Sequence, residues 1–221
     1  MEKINLRDFD AVIFDMDGVL IDSEPLWKIA MEEVFLSLGS KLTKKDFEKT
    51  VGLRIDEVIH FWNVQENWNC KDEKSIEIKI IDALETLINQ RGAPLPGVLE
   101  VLAVLRENNL KIGLATSSSF RLIQCVLSKL NIAHYFDVVH SAEFETHGKP
   151  HPAVYISTAK KLMVKERKCL VIEDSWNGVL SGLSAKMKVV CIPEKTHVPN
   201  KKLFLADFHF ESMMDFLEAV N

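Results

Sequence analysis

The sequence predicts an α/β protein: a doubly wound, Rossmann-like parallel sheet with a helical-bundle cap inserted after its first strand. Short apolar runs rich in Val and Ile recur along the chain, and helical patterns separate the later ones. Between about Glu24 and Arg91 a stretch of helical patterns without a convincing strand interrupts that alternation. Strands alternating with helices imply a parallel sheet covered on both faces.

In chain order, the apolar runs are Ala11 to Phe14, Ile112 to Ala115, Val138 to Val139, Leu170 to Ile172 and Val189 to Ile192. Continuous apolar runs of this kind suit strands buried on both faces. Helices are expected over Gly97 to Asn108, Phe120 to Leu130, Pro152 to Met163 and Ser175 to Ala185, with Pro152 suited to a first helical turn. The insert contains helical patterns such as Trp27 to Leu38 and Lys74 to Asn89, and holds Trp27, Trp62 and Trp68. It closes on the punctuated segment Arg91-Gly92-Ala93-Pro94-Leu95-Pro96-Gly97. The expected organisation is a core of residues 1–22 and 93–221 and a cap of residues 23–92.

The chain has 221 residues, enough for one large domain or for a core with a smaller insertion. Its formal net charge of -5 lacks the basic surplus of a nucleic-acid binder. An acidic surface repels phosphorylated ligands at long range, so any phosphate site must carry local positive charge. Cys70, Cys125, Cys169 and Cys191 form no C-x-x-C pair, and no disulfide framework is expected. Cys169 and Cys191 lie in apolar runs and read as buried thiols. MEKINLRDFD is charged throughout, without a secretory pattern, and no apolar run reaches membrane-spanning length. A cytoplasmic monomer without nucleic-acid or membrane partners is the default expectation.

Ligands of open α/β sheets bind beyond the carboxyl ends of the strands. Asp15, Asp17 and Gly18 follow the first run, and Thr116, Ser117 and Ser118 follow the second. Lys149 lies in the loop beyond the third, and Glu173 and Asp174 follow the fourth. Two carboxylates as close as Asp15 and Asp17 repel unless a cation joins them or one holds a proton. A metal held by Asp15 and Asp174 would neutralise an incoming phosphate; alternatively Asp15 caps a turn and Asp17 is solvated. Thr116 and the Ser117 N–H can bind phosphate oxygens near a helix start, or the segment simply caps that helix. Lys149 sits in His147-Gly148-Lys149-Pro150-His151-Pro152, where two prolines and a glycine constrain its backbone. His147 and His151 are set aside as ligands, because an oxygen donor set suits magnesium. Adjacent acids point to opposite sides, so Asp174 is taken as the inward ligand and Glu173 as a secondary ligand or a partner of Lys149.

The segments FDMDGVLIDSE, LATSSS, GKPHP and VIEDSWNG, in this order and at these spacings, resemble the haloacid dehalogenase superfamily over nearly the whole chain. The helical insert resembles the cap of the subgroup containing β-phosphoglucomutases and small sugar phosphatases. The resemblance implies that Asp15 attacks phosphorus, and that Asp17 protonates the leaving alcohol and then deprotonates water. It implies Mg²⁺ held by the Asp15 side chain, the Asp17 backbone carbonyl and Asp174, with Thr116, Ser117 and Lys149 on the transferring phosphoryl group. The metal-free dehalogenases lack the second acid, so Asp17 points to phosphate chemistry.

Mutases of this subgroup usually carry a histidine where this chain has Trp27, which argues against mutase activity. Glu24-Pro25-Leu26-Trp27 and Val51-Gly52-Leu53-Arg54-Ile55-Asp56 are similar to the hexitol-phosphate and 2-deoxyglucose-6-phosphate phosphatases. Arg54 can reach substrate from the cap or lie on the surface at a helix start, and Glu24 can bind substrate hydroxyls or favour its helix start. Trp27 and Trp62 can pack on a sugar face or form the cap's own core. The expected activity is Mg²⁺-dependent hydrolysis of a sugar or sugar-alcohol phosphate monoester. A β-phosphoglucomutase-type isomerase is the second reading, and a non-catalytic phosphate-binding module the third.

Overall fold

A computed structural model describes residues 3–194 and 201–220. Its sheet has six parallel strands: β1 (Ala11–Phe14), β2 (Lys111–Thr116), β3 (Val138–Ser141), β4 (Cys169–Glu173), β5 (Lys188–Cys191) and β6 (Phe208–His209). The first five cover the expected apolar runs, except that β5 stops at Cys191, one residue short of Ile192. The sixth was not anticipated, because two residues at a sheet edge are too few to show a period. The spatial order is β3-β2-β1-β4-β5-β6. The chain winds outward from β1 to β3, crosses back to β4, and winds outward again. The reversal places the ends of β1 and β4 side by side, with Phe14 paired to Ile172, at the switch point where such sheets bind ligands.

Helices cover both faces. Val12, Phe14, Leu170, Ile172 and Val190 pack in one layer with α4 (Val98–Glu107), α5 (Phe120–Leu130) and α8 (Met213–Val220). Ala11, Ile13, Val171 and Val189 pack in the other with α6 (Ala153–Leu162) and α7 (Trp176–Ser184). Alternation along each strand therefore feeds two cores, and every β1 residue is fully buried. The Val12, Ile13 and Phe14 side chains each contribute about 1.5–3 kcal/mol of burial free energy. Cys169 and Cys191 are buried, as their apolar runs predict.

The insert is helical: α1 (Glu24–Leu36), α2 (Ile55–Gln65) and α3 (Glu73–Arg91), with a short 3₁₀ turn at Asp46–Thr50. Phe35, Phe47, Ile59, Trp62, Ile80 and Leu84 are buried within it. The ring of Phe35 meets those of Phe47 and Trp68 at centroid distances of 5.8 and 4.8 Å. Trp62 is thus part of the insert's own core. The two chain segments joining insert and sheet pair with each other: Ile21 bridges Pro94, and the Leu95 N–H donates to the Leu20 carbonyl at 3.0 Å. Among the described residues no helix is long and apolar enough to cross a membrane.

Candidate active site

Asp15 prolongs β1, its N–H donating to the Ile172 carbonyl at 3.0 Å. The chain then turns sharply. Gly18 adopts φ +72°, and its N–H donates to the Ile21 carbonyl at 2.9 Å. A side chain here meets a conformational penalty, and a steric one as well, because a Cβ would stand 2.1 Å from Oδ2 of Asp174.

Lys149 is almost fully buried and spans two strand ends. Its Nζ donates to Asp15 Oδ1 at 2.8 Å, to Glu173 Oε1 at 2.6 Å and to the Ala115 carbonyl at 3.2 Å, which uses all three ammonium donors. Its charge also lies 4.9 Å from the ring centroid of Tyr155. Burial alone would lower this ammonium, but the charges of Asp15 and Glu173 outweigh it and raise Lys149 above its ordinary value. The cation expected from the loop is therefore present, oriented on the nucleophile candidate.

Glu173 proves to be the partner of Lys149. Besides Lys149, its Oε1 accepts from the Tyr155 hydroxyl at 2.6 Å. Its Oε2 accepts from the N–H groups of Asp174 and Ser175 at 3.1 and 3.2 Å and from the Ser175 hydroxyl at 3.2 Å. Burial would raise the carboxyl, but Lys149 and these donors hold it below its usual value. Gly178 makes room for it, since a Cβ there would fall 1.7 Å from Oε1. Tyr155 carried no sequence signal, lying mid-helix in an amphipathic pattern where an aromatic reads as core.

Asp174 points into the cavity and is half-buried. Burial, then the charges of Glu173 and Asp15, push its carboxyl well above the ordinary range. Burial likewise pushes the Asp15 carboxyl up to about 7, opposed by Lys149 and reinforced by Glu173 and Asp17. Asp15, Glu173 and Asp174 each present an oxygen within 4.8 Å of the others. Glu173 has spent its oxygens on protein donors, which leaves Asp15 and Asp174 facing the cavity. Four acids (Asp15, Asp17, Glu24 and Asp174) line the cavity against the single ammonium of Lys149. An all-oxygen donor set with surplus negative charge fits Mg²⁺.

Asp17 has three donors. Ser23 Oγ and Trp27 Nε1 donate to its Oδ1 at 2.5 and 2.9 Å, and Ser118 Oγ donates to its Oδ2 at 2.7 Å. Ser23 precedes α1 but makes no capping bond; its hydroxyl serves Asp17 instead. Beyond β2 the caps divide the work. Ser119 accepts from the Leu122 N–H and caps α5, so Thr116, Ser117 and Ser118 need not. Thr116 Oγ1 accepts from the Ser118 N–H at 3.2 Å, and Ser117 Oγ donates to the Gly52 carbonyl at 2.9 Å.

The helical insert closes over this floor. Its loop contacts the core through Ser117 to Gly52 and through Asn177 Nδ2 to the Val51 carbonyl at 2.9 Å. Gly52, at φ +81°, lies so near α7 that a Cβ would come within 2.8 Å of Ser175 Oγ. The cavity holds about 670 Å³ of space between atoms, part of it open to solvent. Its upper wall is largely apolar, formed by Trp27, Met31, Phe47, Val51, Leu53, Ile55 and Val58.

Most of the sequence-predicted residues meet here: Asp15, Asp17, Thr116, Ser117, Lys149, Asp174 and Glu24 all line the cavity. Glu24 pairs with Lys28 Nζ at 3.4 Å, and burial, opposed by that lysine, raises its carboxyl. Arg54 is not among the lining residues. Its Nη1 donates to the carbonyls of Ala142 and Glu145 at 3.2 and 2.9 Å, and its Nη2 to Asp56 Oδ2 at 3.1 Å. Two carbonyls of the core loop take its Nη1, while its Nε is buried without a partner among the described residues, so Arg54 joins insert to core and does not line the cavity. Sequence reasoning gave Ser23 and Ser118 no task; their hydroxyls flank Asp17 only once the strand ends are brought together.

The model of the family described as "Haloacid dehalogenase-like hydrolase" matches residues 12–192. Hexitol phosphatase B of Escherichia coli (strain K12) is 36% identical over 95% of each chain. A phosphorylated carbohydrates phosphatase of Thermotoga maritima is 32% identical over 80% of this chain and 81% of its own. Among solved structures, β-phosphoglucomutase from Clostridium difficile superposes with a TM-score of 0.82 at 26% identity, covering 96% of both chains.

Proposed function

The chain belongs to the haloacid dehalogenase-like hydrolases, and on that premise we propose that it is a Mg²⁺-dependent phosphatase for a sugar or sugar-alcohol phosphate monoester, working through an aspartyl-phosphate. The observation that carries the reading is Lys149, which clamps Asp15 against Glu173 at 2.8 and 2.6 Å beside Asp174. That geometry fixes a carboxylate at a strand end and leaves a neighbouring acid free for a cation.

Asp15, Asp174 and the Asp17 carbonyl would hold Mg²⁺. When bound, the ion supplies the positive charge that lets an anionic phosphate approach a carboxylate. The remaining work belongs to the chain. Thr116 has a hydroxyl hydrogen to donate, and with the Ser117 N–H it holds the phosphoryl oxygens, while Lys149, its three donors engaged, supplies positive charge beside them. The Ser117 hydroxyl is turned away to Gly52, so its contact with phosphate is through the backbone. Asp15 forms a bond to phosphorus as the bond to the alcohol oxygen breaks, and Asp17 gives that oxygen a proton. Water then attacks phosphorus, Asp17 takes its proton, and the Asp15 carboxylate is released. Phosphoryl transfer depends mainly on such positioning and charge neutralisation.

Residues 23–92 act in this reading as a cap on a core of residues 1–22 and 93–221. The paired connections at Ile21 and Pro94 give it a narrow hinge, and closure would exclude water. The likeness to β-phosphoglucomutase keeps the isomerase in view, but two features favour hydrolysis. Trp27 stands where those mutases carry histidine. A mutase cycle through a bisphosphate also needs charge for a second phosphate, and Lys149 is the only lysine or arginine among the described lining residues. Hexitol phosphatase B and the phosphorylated carbohydrates phosphatase, by their names, support a polyol or sugar phosphate as substrate.

The test is phosphate release from a panel of sugar, polyol and short-acid phosphates, with and without Mg²⁺. Release confined to Mg²⁺ and lost in Asp15→Asn is expected; full activity in that variant sinks the mechanism.

A further inference from the structure

The two carboxylate oxygens of Asp17 are bound differently. Oδ1 receives the Ser23 hydroxyl at 2.5 Å and the Trp27 indole N–H at 2.9 Å, while Oδ2 receives only the Ser118 hydroxyl at 2.7 Å among the bonds observed. An indole nitrogen donates and never accepts, whereas a hydroxyl can do either. With both lone pairs of Oδ1 directed at donors, a hydrogen on Oδ1 would force Ser23 to reverse from donor to acceptor and would weaken Oδ1 as an acceptor for Trp27, whose indole cannot reverse. At Oδ2 a hydrogen can occupy the lone pair that no observed donor faces, so Ser118 keeps its bond.

Resting on the reading of Asp17 as proton donor and acceptor, we propose that Trp27 is a positioning residue that fixes the Asp17 carboxylate in one orientation and assigns its transferable proton to Oδ2. In the first step Oδ2–H breaks as the proton passes to the leaving alcohol oxygen, while the phosphorus–oxygen bond breaks and the bond from Asp15 to phosphorus forms. In the second, Oδ2 takes a proton from water as the water oxygen bonds to phosphorus and the Asp15 bond breaks. Oδ1 keeps its two donors throughout, so the carboxylate need not turn between the half-reactions. Ser23 and Trp27 come from the start of α1 and Ser118 from the loop after β2. Asp17 is therefore held from both the insert and the core.

Phenyl and p-nitrophenyl phosphate, nearly equal in shape, provide the test, because p-nitrophenolate departs without a proton and phenolate benefits from one. Their kcat/KM values are compared in the full chain with Mg²⁺. General acid assistance is worth about 10²–10⁴-fold. Trp27→Phe is expected to raise the p-nitrophenyl to phenyl ratio about tenfold, by lowering phenyl phosphate turnover more. Ser23→Ala, a small change on the same oxygen, is expected to raise it at least threefold, and keeps the test open if Trp27→Phe folds poorly. An unchanged ratio in both variants overturns the proposal even if both rates fall, since a merely structural role would slow the two esters alike. Asp17→Asn separates the layers: it should raise the ratio most. If it does not, the role of Asp17 itself fails and takes the assignment with it; if only Asp17→Asn raises the ratio, the failure is confined to Trp27.

Discussion

Gly18 and Asp174 occupy adjoining space: a Cβ on residue 18 would stand 2.1 Å from Oδ2 of Asp174 and 2.8 Å from its Cγ. The turn after β1 and the acid after β4 are thus built to one tolerance, although 156 residues separate them in sequence.

Gly18→Ala is therefore expected to cost the proposed Mg²⁺ site more than the fold. The positive φ adds about 1–2 kcal/mol of strain, and the methyl group pushes the Asp174 carboxylate from its place. Titration calorimetry should show Mg²⁺ affinity falling about tenfold or more. Unchanged affinity would remove Asp174 from the ligand set.

Lys149→Met should be severely destabilising. It leaves Asp15 and Glu173 buried without their cation, and removing one member of a buried ion pair costs about 3–5 kcal/mol. Glu173→Gln keeps the side chain's shape and leaves Lys149 paired with Asp15, so although its NH₂ cannot accept the donors it would face, it should cost less. Urea unfolding of both variants checks the order; equal losses would contradict it.

Mg²⁺ binding should strengthen with pH. The folded Asp15 carboxyl sits near 7 against an ordinary 3.8, so without metal the folded state binds more protons than the unfolded chain between those values. This contribution to stability is present at low pH and lost as pH rises through about 7. Binding the cation displaces that proton. The rise in melting temperature on adding Mg²⁺ should accordingly be larger at pH 8 than at pH 6, as differential scanning calorimetry can measure. A smaller rise at pH 8 reverses the sign and sinks the prediction.

Arg54→Ala tests a residue whose place differs from expectation. Losing charged hydrogen bonds to the Ala142 and Glu145 carbonyls should weaken closure by about 1.5–3 kcal/mol, or roughly tenfold or more in kcat/KM. Because Arg54 does not line the cavity, the loss should be uniform across substrates. A loss concentrated on long polyol phosphates would return Arg54 to the substrate.

Much of this protein is written locally. Apolar runs such as Ala11 to Phe14 and Leu170 to Ile172 announce doubly buried strands, because a strand covered on both faces leaves no polar alternation. The polar residues just beyond them, Asp15, Thr116 and Asp174, fall at strand ends for the same reason, and their order carries the family. What the sequence alone left open was settled by contact between distant segments. Glu173 was read as a secondary ligand or the partner of Lys149, and the adjacency of β1 and β4 at the sheet's reversal brings it within 2.6 Å of that lysine, beside Asp15. Tyr155 gives no periodic signal of its own and gains its task only because α6 packs under Glu173. Trp27 reads from the sequence as cap core before sugar platform; its indole N–H on Asp17 depends on how the start of α1 sits over the turn after β1. Hydrogen bonds are short-ranged and directional, so pairs such as Asp17 and Ser118, 101 residues apart, exist only once the tertiary structure brings them within reach.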